Sequence, residues 1–357
     1  MHGFDPIAAD KPIITTIIPS YRRPHLVRRA VLSALGQSYP YVRVCVYDNA
    51  SGDKTYEAIA DLVATGKVEY YCHEKNIGSY PNFNFGLSRV STPFFSLLSD
   101  DDALAPDFYE HAMRAFESYP DAKFVCMGTL VVDQAGIVIS GPADPVDPIY
   151  YRSGEGFKPM ARVEIPRNWT GMVFRKEVVE LIGHVAEDAG PFADGGFVLH
   201  AAARFPFVVS PGIGGVLMSH PVSTSGTAGN LQTDWTLWWN KMVNRIEQDS
   251  AVPDAVKVHA RTLMRPQVLR IAIFQISRAL REERIGDAVA LTKTLAVLDH
   301  PFAAKLFRVG VFVYRRFPGL RAIGFYIKKI HDRRICRANR ALHMRWGRYV
   351  EFLHGLK

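Results

Sequence analysis

The 357-residue chain has no run of about 18 uninterrupted apolar residues, so no ordinary membrane-spanning helix is expected. Its opening, Met1-His2-Gly3-Phe4-Asp5-Pro6, lacks the charged-then-apolar pattern of a secretory signal, and the expected compartment is therefore the cytoplasm. Cysteine is scarce: Cys45, Cys72, Cys126 and Cys336 show no paired spacing, and the first three sit in apolar, strand-like runs. They are expected to be reduced core thiols, not disulfides or metal ligands. There is no GxGxxG turn after the first strand-like run and no GxxxxGK[ST], which leaves out a dinucleotide cradle and a phosphate loop. No internal repeat or low-complexity segment is found, and 48% hydrophobic with 22% charged residues is the composition of a folded protein with a sizeable core.

The net charge of +8 is unevenly placed. Residues 301–357 hold 14 Lys/Arg against two acids, Asp332 and Glu351, while the preceding 300 residues hold 29 Lys/Arg against 33 Asp/Glu. The basicity belongs to the tail.

From Ile13 to about Met127, strand-like and helix-like segments alternate. Ile13–Ile18 is a β-branched run stopped by Pro19, and Pro24–Leu35 is helical, with Pro in its first turn and Gly36 after it. Val42–Tyr47 is a second strand ending in the turn cluster Asp48–Asp53, which precedes a predicted helix over Lys54–Ala64. Val68–Cys72 is a third strand, followed by an Asn/Gly loop and a helix through Phe85–Val90; Phe94–Leu98 is a fourth, followed by a helix from about Pro106 to Tyr119. Repeated βα units imply an α/β fold with a mostly parallel sheet and helices on both faces. Beyond Ala122–Met127 the alternation gives way to a hairpin joined through Gln134-Ala135-Gly136, a loop over 140–162, helices at Lys176–Ile182 and Phe197–Ala203, and strands at Phe207–Ser210 and Gly215–Ser219. Past Leu231 the chain is expected to be almost wholly helical. The expected organisation is an α/β unit over 1–230, in two halves at about 13–127 and about 128–230, then a helical region over 231–357.

Three adjacent carboxylates, Asp100, Asp101 and Asp102, close the fourth strand. Carboxylate oxygens at a strand's C-terminal end suit Mg²⁺ or Mn²⁺ with open positions for diphosphate oxygens. One Asp would suffice to complement a helix N-terminus, whereas three like charges repel. Loops after the first, second and fourth strands converge in a doubly wound sheet, so Pro19–Arg23, Asp48 with Asn49 and Asp53, and the acidic triplet can share one site. That site would offer an aromatic ring to a base, a carboxylate to a base N–H or ribose hydroxyl, cations to phosphate, and a metal position.

Thr16–Arg23, Val46–Asp53, Glu74–Gly78 and Leu98–Pro106, in this order and spacing, resemble the family 2 glycosyltransferases of the GT-A fold. The resemblance is close over Ile13–Ser118, looser to His220 and absent beyond about residue 230. It implies a Rossmann-like GT-A domain that transfers a sugar with inversion from a nucleotide-sugar donor, a UDP-sugar favoured, to a saccharide or lipid-linked acceptor. Carried over by position, it gives Pro19, Tyr21 and Arg23 to the base and phosphate side of the nucleotide, Asp48 to the base, and Asn76 and Gly78 to the pocket loop. The triplet matches the DxD-type element, with Asp100 on the ribose and Asp101 and Asp102 on Mn²⁺ or Mg²⁺; Ser99 stands where many members have Asp, which leaves the division among the three open. Asn168–Arg175 resembles the acceptor loop, with Trp169 and Gly171 facing the acceptor. Asp194, in Phe192-Ala193-Asp194-Gly195-Gly196, matches the general base; Asp188 is its rival, and capping of the Phe197–Ala203 helix is the structural alternative. His220 matches a late metal-binding His, although a His before Pro is also an ordinary loop residue.

The tail carries an apolar stripe, Phe302, Leu306, Val309, Val313 and Phe317, at helical spacing among Lys305, Arg308, Arg315 and Arg316, with more aromatics and cations over Leu320–Ile335. Such helices suit the inner face of an anionic membrane, or equally a bundle packed on the catalytic domain or on a second copy in a homo-oligomer. No nucleic-acid-binding motif accompanies the charge, so no nucleic-acid partner is expected. The function expected is glycosyl transfer in surface polysaccharide or glycolipid assembly. A nucleotidyltransferase of related fold, disfavoured by the missing phosphate loop, and an inactive GT-A glycan-binding or scaffold module are the alternatives.

Overall fold

The structure, a computed structural model, describes residues 11–142, 147–186, 193–219, 235–281, 284–297, 301–317 and 334–356. The first half is built from β1 (Ile14–Ser20), α1 (Pro24–Leu35), β2 (Val42–Asp48), α2 (Ala60–Ala64), β3 (Val68–Cys72), α3 (Ser79–Ser88), β4 (Phe94–Leu97), β5 (Ala103–Leu104) and α4 (Phe108–Ser118). Then come β6 (Phe124–Val132), β7 (Val138–Ser140), β8 (Ile149–Tyr151), α5 (Phe157–Ala161), β9 (Met172–Arg175), α6 (Glu177–Ile182), α7 (Ala193–Arg204) and β10 (Phe207–Met218). The helices α8 (Trp235–Gln248), α9 (Asp254–Arg281), α10 (Ile285–Val297) and α11 (Pro301–Arg316) follow.

The sheet order is β3-β2-β1-β4-β9-β6-β10-β5, with β7 on β6 and β8 on β10. Strands β3, β2, β1 and β4 are mutually parallel, so their C-terminal ends, and the loops that leave them, lie along one edge. β9 then inserts antiparallel between β4 and β6, while β6 and β10 are parallel to each other. Every residue of β1 is buried because helices cover both faces. Ile14 and Ile18 point into one core with Val27, Val31 and Phe108, and Ile17 into the other with Phe83 and Leu87. The two threonines in this run pair their hydroxyls across 2.6 Å, Thr15 with Thr92 and Thr16 with Tyr109. Gly86 lets α3 lie close to β1, since a Cβ there would stand 2.5 Å from Ile17.

Several predicted boundaries shift. The helix expected over Lys54–Ala64 is regular only from Ala60: Asp53 Oδ1 accepts from both the backbone N–H and the hydroxyl of Thr55, a local turn that competes with helix. The predicted strands Phe207–Ser210 and Gly215–Ser219 form one long strand whose pairing to β6 is broken by an irregularity around Pro211–Gly214. β8 and α5 lie inside the expected 140–162 loop. Of the cysteines, Cys45 and Cys126 are buried, but Cys72 and Cys336 are exposed, which corrects the expectation for Cys72 at the end of the edge strand.

In α11 the side that packs is the one carrying Phe307 and Val311, against Ile276, Ala279 and Ala288. Three members of the predicted stripe face out, Leu306 at 60%, Val309 at 53% and Phe317 at 54% exposed, while Val313 is half-buried and the Phe302 side chain lies outside the described residues. The final segment behaves differently, because Trp346 and Val350 are buried in the core beneath the sheet and His343 Nδ1 accepts from the Val138 N–H at 3.3 Å. Among the described residues no helix is long and apolar enough to cross a membrane.

Candidate active site

The acidic triplet sits in the short turn between β4 and β5, and each member is tied to a different part of the chain. Asp100 Oδ2 accepts from the Ser20 hydroxyl (2.9 Å) and the Tyr21 N–H (3.3 Å), both at the C-terminal end of β1. Arg23 Nη1 donates to Asp100 Oδ1 and to Asp101 Oδ2, each at 2.9 Å, and Arg29 Nη2 donates to the Asp101 carbonyl at 2.6 Å. Asp102 points the other way: Oδ2 accepts from the Thr170 hydroxyl (2.9 Å) and Oδ1 from the Met218 N–H (3.1 Å). β5 holds this turn in place by pairing antiparallel with Gly215 and Val216 of β10.

The electrostatics follow from burial. Asp102 is pushed up to about 8, first by desolvation and then by the charge of Asp101, against the Met218 and Thr170 hydrogen bonds. Asp100 is also raised by burial, with Arg23 opposing. Burial lowers Arg29, with Asp102 and Asp101 opposing, and Arg23 ends above its ordinary value because Asp100 and Asp101 outweigh its burial.

The second loop cluster is organised by Asn49. Its Nδ2 donates to Asn76 Oδ1 and to the Gly78 carbonyl, both at 3.1 Å, and its Oδ1 accepts from the Ile77 N–H at 2.8 Å. Its own N–H bonds to the Ser20 carbonyl at 2.9 Å, so the loops after β1, β2 and β3 form one network. Arg22 and Ala50, in the first two of these loops, hold positive φ of 55° and 56°. A left-handed backbone at non-glycine residues persists where the surroundings over-determine it.

Asp194 lies in the first turn of α7, half-buried. Burial raises its proton affinity, and the nearby Arg167 guanidinium opposes that. Tyr80, two residues beyond Gly78, is raised by burial and then by the Asp194 charge. Asp194 therefore faces both the Asn76–Gly78 loop, through Tyr80, and the segment that carries Thr170, through Arg167.

The structure thus brings Tyr21, Arg23, Asp100 and Asp101 into one network and Asn76 and Gly78 into the adjoining one around Asn49, with Asp48 next to Asn49 at the end of β2 and Pro19 next to Ser20 in β1. Trp169 is buried (6% exposed) with its ring 4.5 Å from Phe83, and Gly171 lies so close to β6 that a Cβ would stand 2.8 Å from the Met127 carbonyl. Asp188 and His220 lie outside the described residues, although Met218, two positions before His220, is bonded to Asp102. Sequence reasoning placed Ser20 and Asn49 among the converging loops without giving either a role, and did not single out Arg29, Thr170 or Arg167. Asn49 had a visible signal, standing next to Asp48; Thr170 and Arg29 act across long sequence separations and had none.

Among the described residues no group of three or more His, Cys, Asp and Glu converges to hold a metal ion. The donor set nonetheless fits a hard divalent cation completed by substrate oxygens, since such ions are commonly held by one or two carboxylates plus phosphate.

Residues 15–175 match the model of glycosyl transferase family 2. Over that stretch the chain is similar to the family, and its fold is GT-A. An uncharacterized glycosyltransferase of Rickettsia typhi is 32% identical over 124 residues, 34% of this chain and 38% of that protein. A chondroitin synthase of Pasteurella multocida is 28% identical over 118 residues, 33% of this chain and 12% of that one. The matched region spans only 19% to 38% of the length of the first curated relatives. In three dimensions the chain is similar to S. aureus TarS 1–349, solved in complex with UDP-GlcNAc, with a TM-score of 0.60 and 13% identity over 80% of this chain and 81% of that one.

Proposed function

We propose that the protein is an inverting, metal-dependent glycosyltransferase that moves a sugar from a nucleoside-diphosphate donor, a UDP-sugar by preference, to a hydroxyl of a saccharide or lipid-linked saccharide. The observation that carries this reading is the hydrogen-bond network joining Ser20, Tyr21 and Arg23 to Asp100 and Asp101, beside the network of Asn49, Asn76 and Gly78. The catalytic unit is 1–230, with 13–127 taking the nucleotide and 128–230 the acceptor, and 231–357 is a helical appendage.

In this reading Pro19, Tyr21 and Arg23 hold the base and phosphates, Asp48 the base, Asn76 and Gly78 the pocket wall, and Asp100 the ribose. Asp194 takes the proton of the acceptor hydroxyl as its oxygen attacks the anomeric carbon from the side opposite the diphosphate, and the bond to the diphosphate oxygen breaks. A carboxylate whose proton affinity burial has raised is a better base for that step than a solvated one. Mn²⁺ or Mg²⁺, held by Asp101 and Asp102 with His220, would stabilise the charge on the departing diphosphate. Arg23 supplies a fixed cation on the same side, and Trp169 and Gly171 shape the floor under the acceptor.

The outward stripe of Leu306, Val309, Phe312 and Phe317 beside Lys305, Arg308 and Arg316 supports docking of the tail on the inner face of an anionic membrane. That would place the enzyme where lipid-linked acceptors of surface polysaccharide or glycolipid assembly lie, and the likeness to a chondroitin synthase supports a saccharide acceptor. A panel of nucleotide sugars tested for thermal stabilisation with and without Mn²⁺ decides the donor class. A ligand at 100 times its Kd stabilises by about 2.7 kcal/mol, so a UDP-sugar should raise the melting temperature only with the metal present. No shift with any nucleotide sugar would refute the proposal.

A further inference from the structure

The Asp48 carboxylate is held from two sides, by Tyr70 outside the family motifs and by Ser51 within one of them. Tyr70, in β3 beside β2, donates its hydroxyl to Oδ2 at 2.5 Å, and the Ser51 N–H donates to Oδ1 at 2.8 Å. Ser51 is itself fixed, because its hydroxyl oxygen accepts from the Arg22 N–H (2.9 Å) and its carbonyl from Arg22 Nε (3.3 Å). The Tyr70 ring is backed by Tyr56, centroid to centroid 5.0 Å. Asp48 is only 3% exposed, so it can neither rotate freely nor exchange these partners for water at little cost.

A carboxylate oxygen offers two lone pairs, so each Asp48 oxygen keeps one acceptor position after these bonds. Fixing both oxygens fixes the direction in which the remaining lone pairs point. A base with a ring N–H at its pairing edge, such as uracil at N3, can donate there, whereas cytosine presents a lone pair at the same atom and meets repulsion. Discrimination of this kind is large when the polar group is enclosed and its geometry set, because the wrong ligand leaves it unpaired.

We propose that Tyr70 is a positioning residue for base selection: its hydroxyl, opposite the Ser51 N–H, aims the Asp48 carboxylate at a ring N–H of a uracil-type base and so disfavours cytosine. The inference rests on the reading of Asp48 as the base contact. Tyr70 touches Asp48 and not the nucleotide, and its contribution is to selectivity.

The test is calorimetric binding of UDP, CDP and inorganic pyrophosphate, in Mg²⁺, to the wild-type protein, Tyr70→Phe and Asp48→Ala. Tyr70→Phe keeps the ring against Tyr56 and removes only the hydroxyl. The expected result is a UDP preference over CDP in the wild type that falls about tenfold in Tyr70→Phe, through weaker UDP binding, with pyrophosphate affinity unchanged. An unchanged UDP/CDP ratio in Tyr70→Phe, or an equal loss for UDP, CDP and pyrophosphate, overturns the role given to Tyr70. If the ratio collapses in Asp48→Ala but holds in Tyr70→Phe, the base contact stands and the positioning role fails. If Asp48→Ala keeps the ratio, or the wild type shows none, the base-contact reading fails and the inference with it.

Discussion

Replacing Asp102 by Asn should make the metal-free protein more stable at neutral and alkaline pH while removing its metal-dependent donor binding. Asp102 is enclosed (4% exposed) and its carboxyl is pushed up to about 8 from an ordinary value of 3.8. The folded state therefore holds this proton more tightly than the unfolded chain does. The stabilisation from that proton is fully present below about pH 4 and is lost as pH rises to about 8. At 1.36 kcal/mol per unit, the loss is on the order of 5 kcal/mol across the interval, or about 1.4 kcal/mol for each pH unit. For a domain of this size that is roughly 3–5 °C of melting temperature per pH unit. Asn fits the same contacts without the charge: its carbonyl can accept from the Met218 N–H, and its amide can donate to the Thr170 hydroxyl oxygen. The assay is thermal unfolding of wild type and Asp102→Asn in EDTA at half-unit steps from pH 5 to 8. The advantage of the wild type should shrink, and then reverse, by the stated amount per unit. A difference between the two proteins that stays constant over that range would refute the reasoning, because the charge would then not be the cost.

Two further substitutions probe the scaffold. Asp249 accepts from His200 Nε2 (2.8 Å), Arg204 Nη1 (2.9 Å) and the Ala251 N–H (2.9 Å), tying α7 to the α8–α9 turn, so Asp249→Ala should destabilise by about 3 kcal/mol by leaving Arg204 uncompensated, as read by urea unfolding. Trp346→Ala should cost about 3–5 kcal/mol and expose 334–356 to proteolysis, because this ring is buried in the sheet's own core; a loss under 1 kcal/mol would mean that the C-terminal segment does not pack there. Ala50→Gly should be neutral or stabilising by up to about 1 kcal/mol, since glycine adopts a φ of 56° without strain, and a clear loss of stability would show that the Ala50 side chain matters.

How far the fold could be read in advance depended on whether the determining contacts were local. Val68–Cys72 was read with its observed limits because the β-branched and aromatic run is bounded by Lys67 and by a loop. α3 begins six residues before Phe85, where the helix was expected, and Pro81 stands in its first turn, where its missing N–H is harmless. β5 and β9 were missed for another reason. They are two and four residues long, and their strand character comes from partners far away in sequence, Gly215 and Val216 for one, Phe94–Ser96 and Phe124–Cys126 for the other. The candidate site divides similarly. The carboxylates were visible as charge concentrated at strand ends, but the groups that orient them were not, since Thr170 and Met218 lie 68 and 116 residues from Asp102. In the tail the period of the apolar residues was legible, whereas the side of α11 that packs was set by α9 and α10 and is the side opposite the stripe.

The central claim is that Asp194 and the acidic triplet together catalyse transfer from a nucleotide sugar. It is tested most directly by measuring nucleoside diphosphate release from UDP-sugars, with saccharide acceptor and Mn²⁺, by the wild type and by Asp194→Asn matched for donor binding. The account predicts release that requires the metal and rises with acceptor, and that falls by roughly 10² to 10⁴ in Asp194→Asn while the donor Kd is unchanged. Equal release by the two proteins, or full release in EDTA with no retained metal, would contradict it.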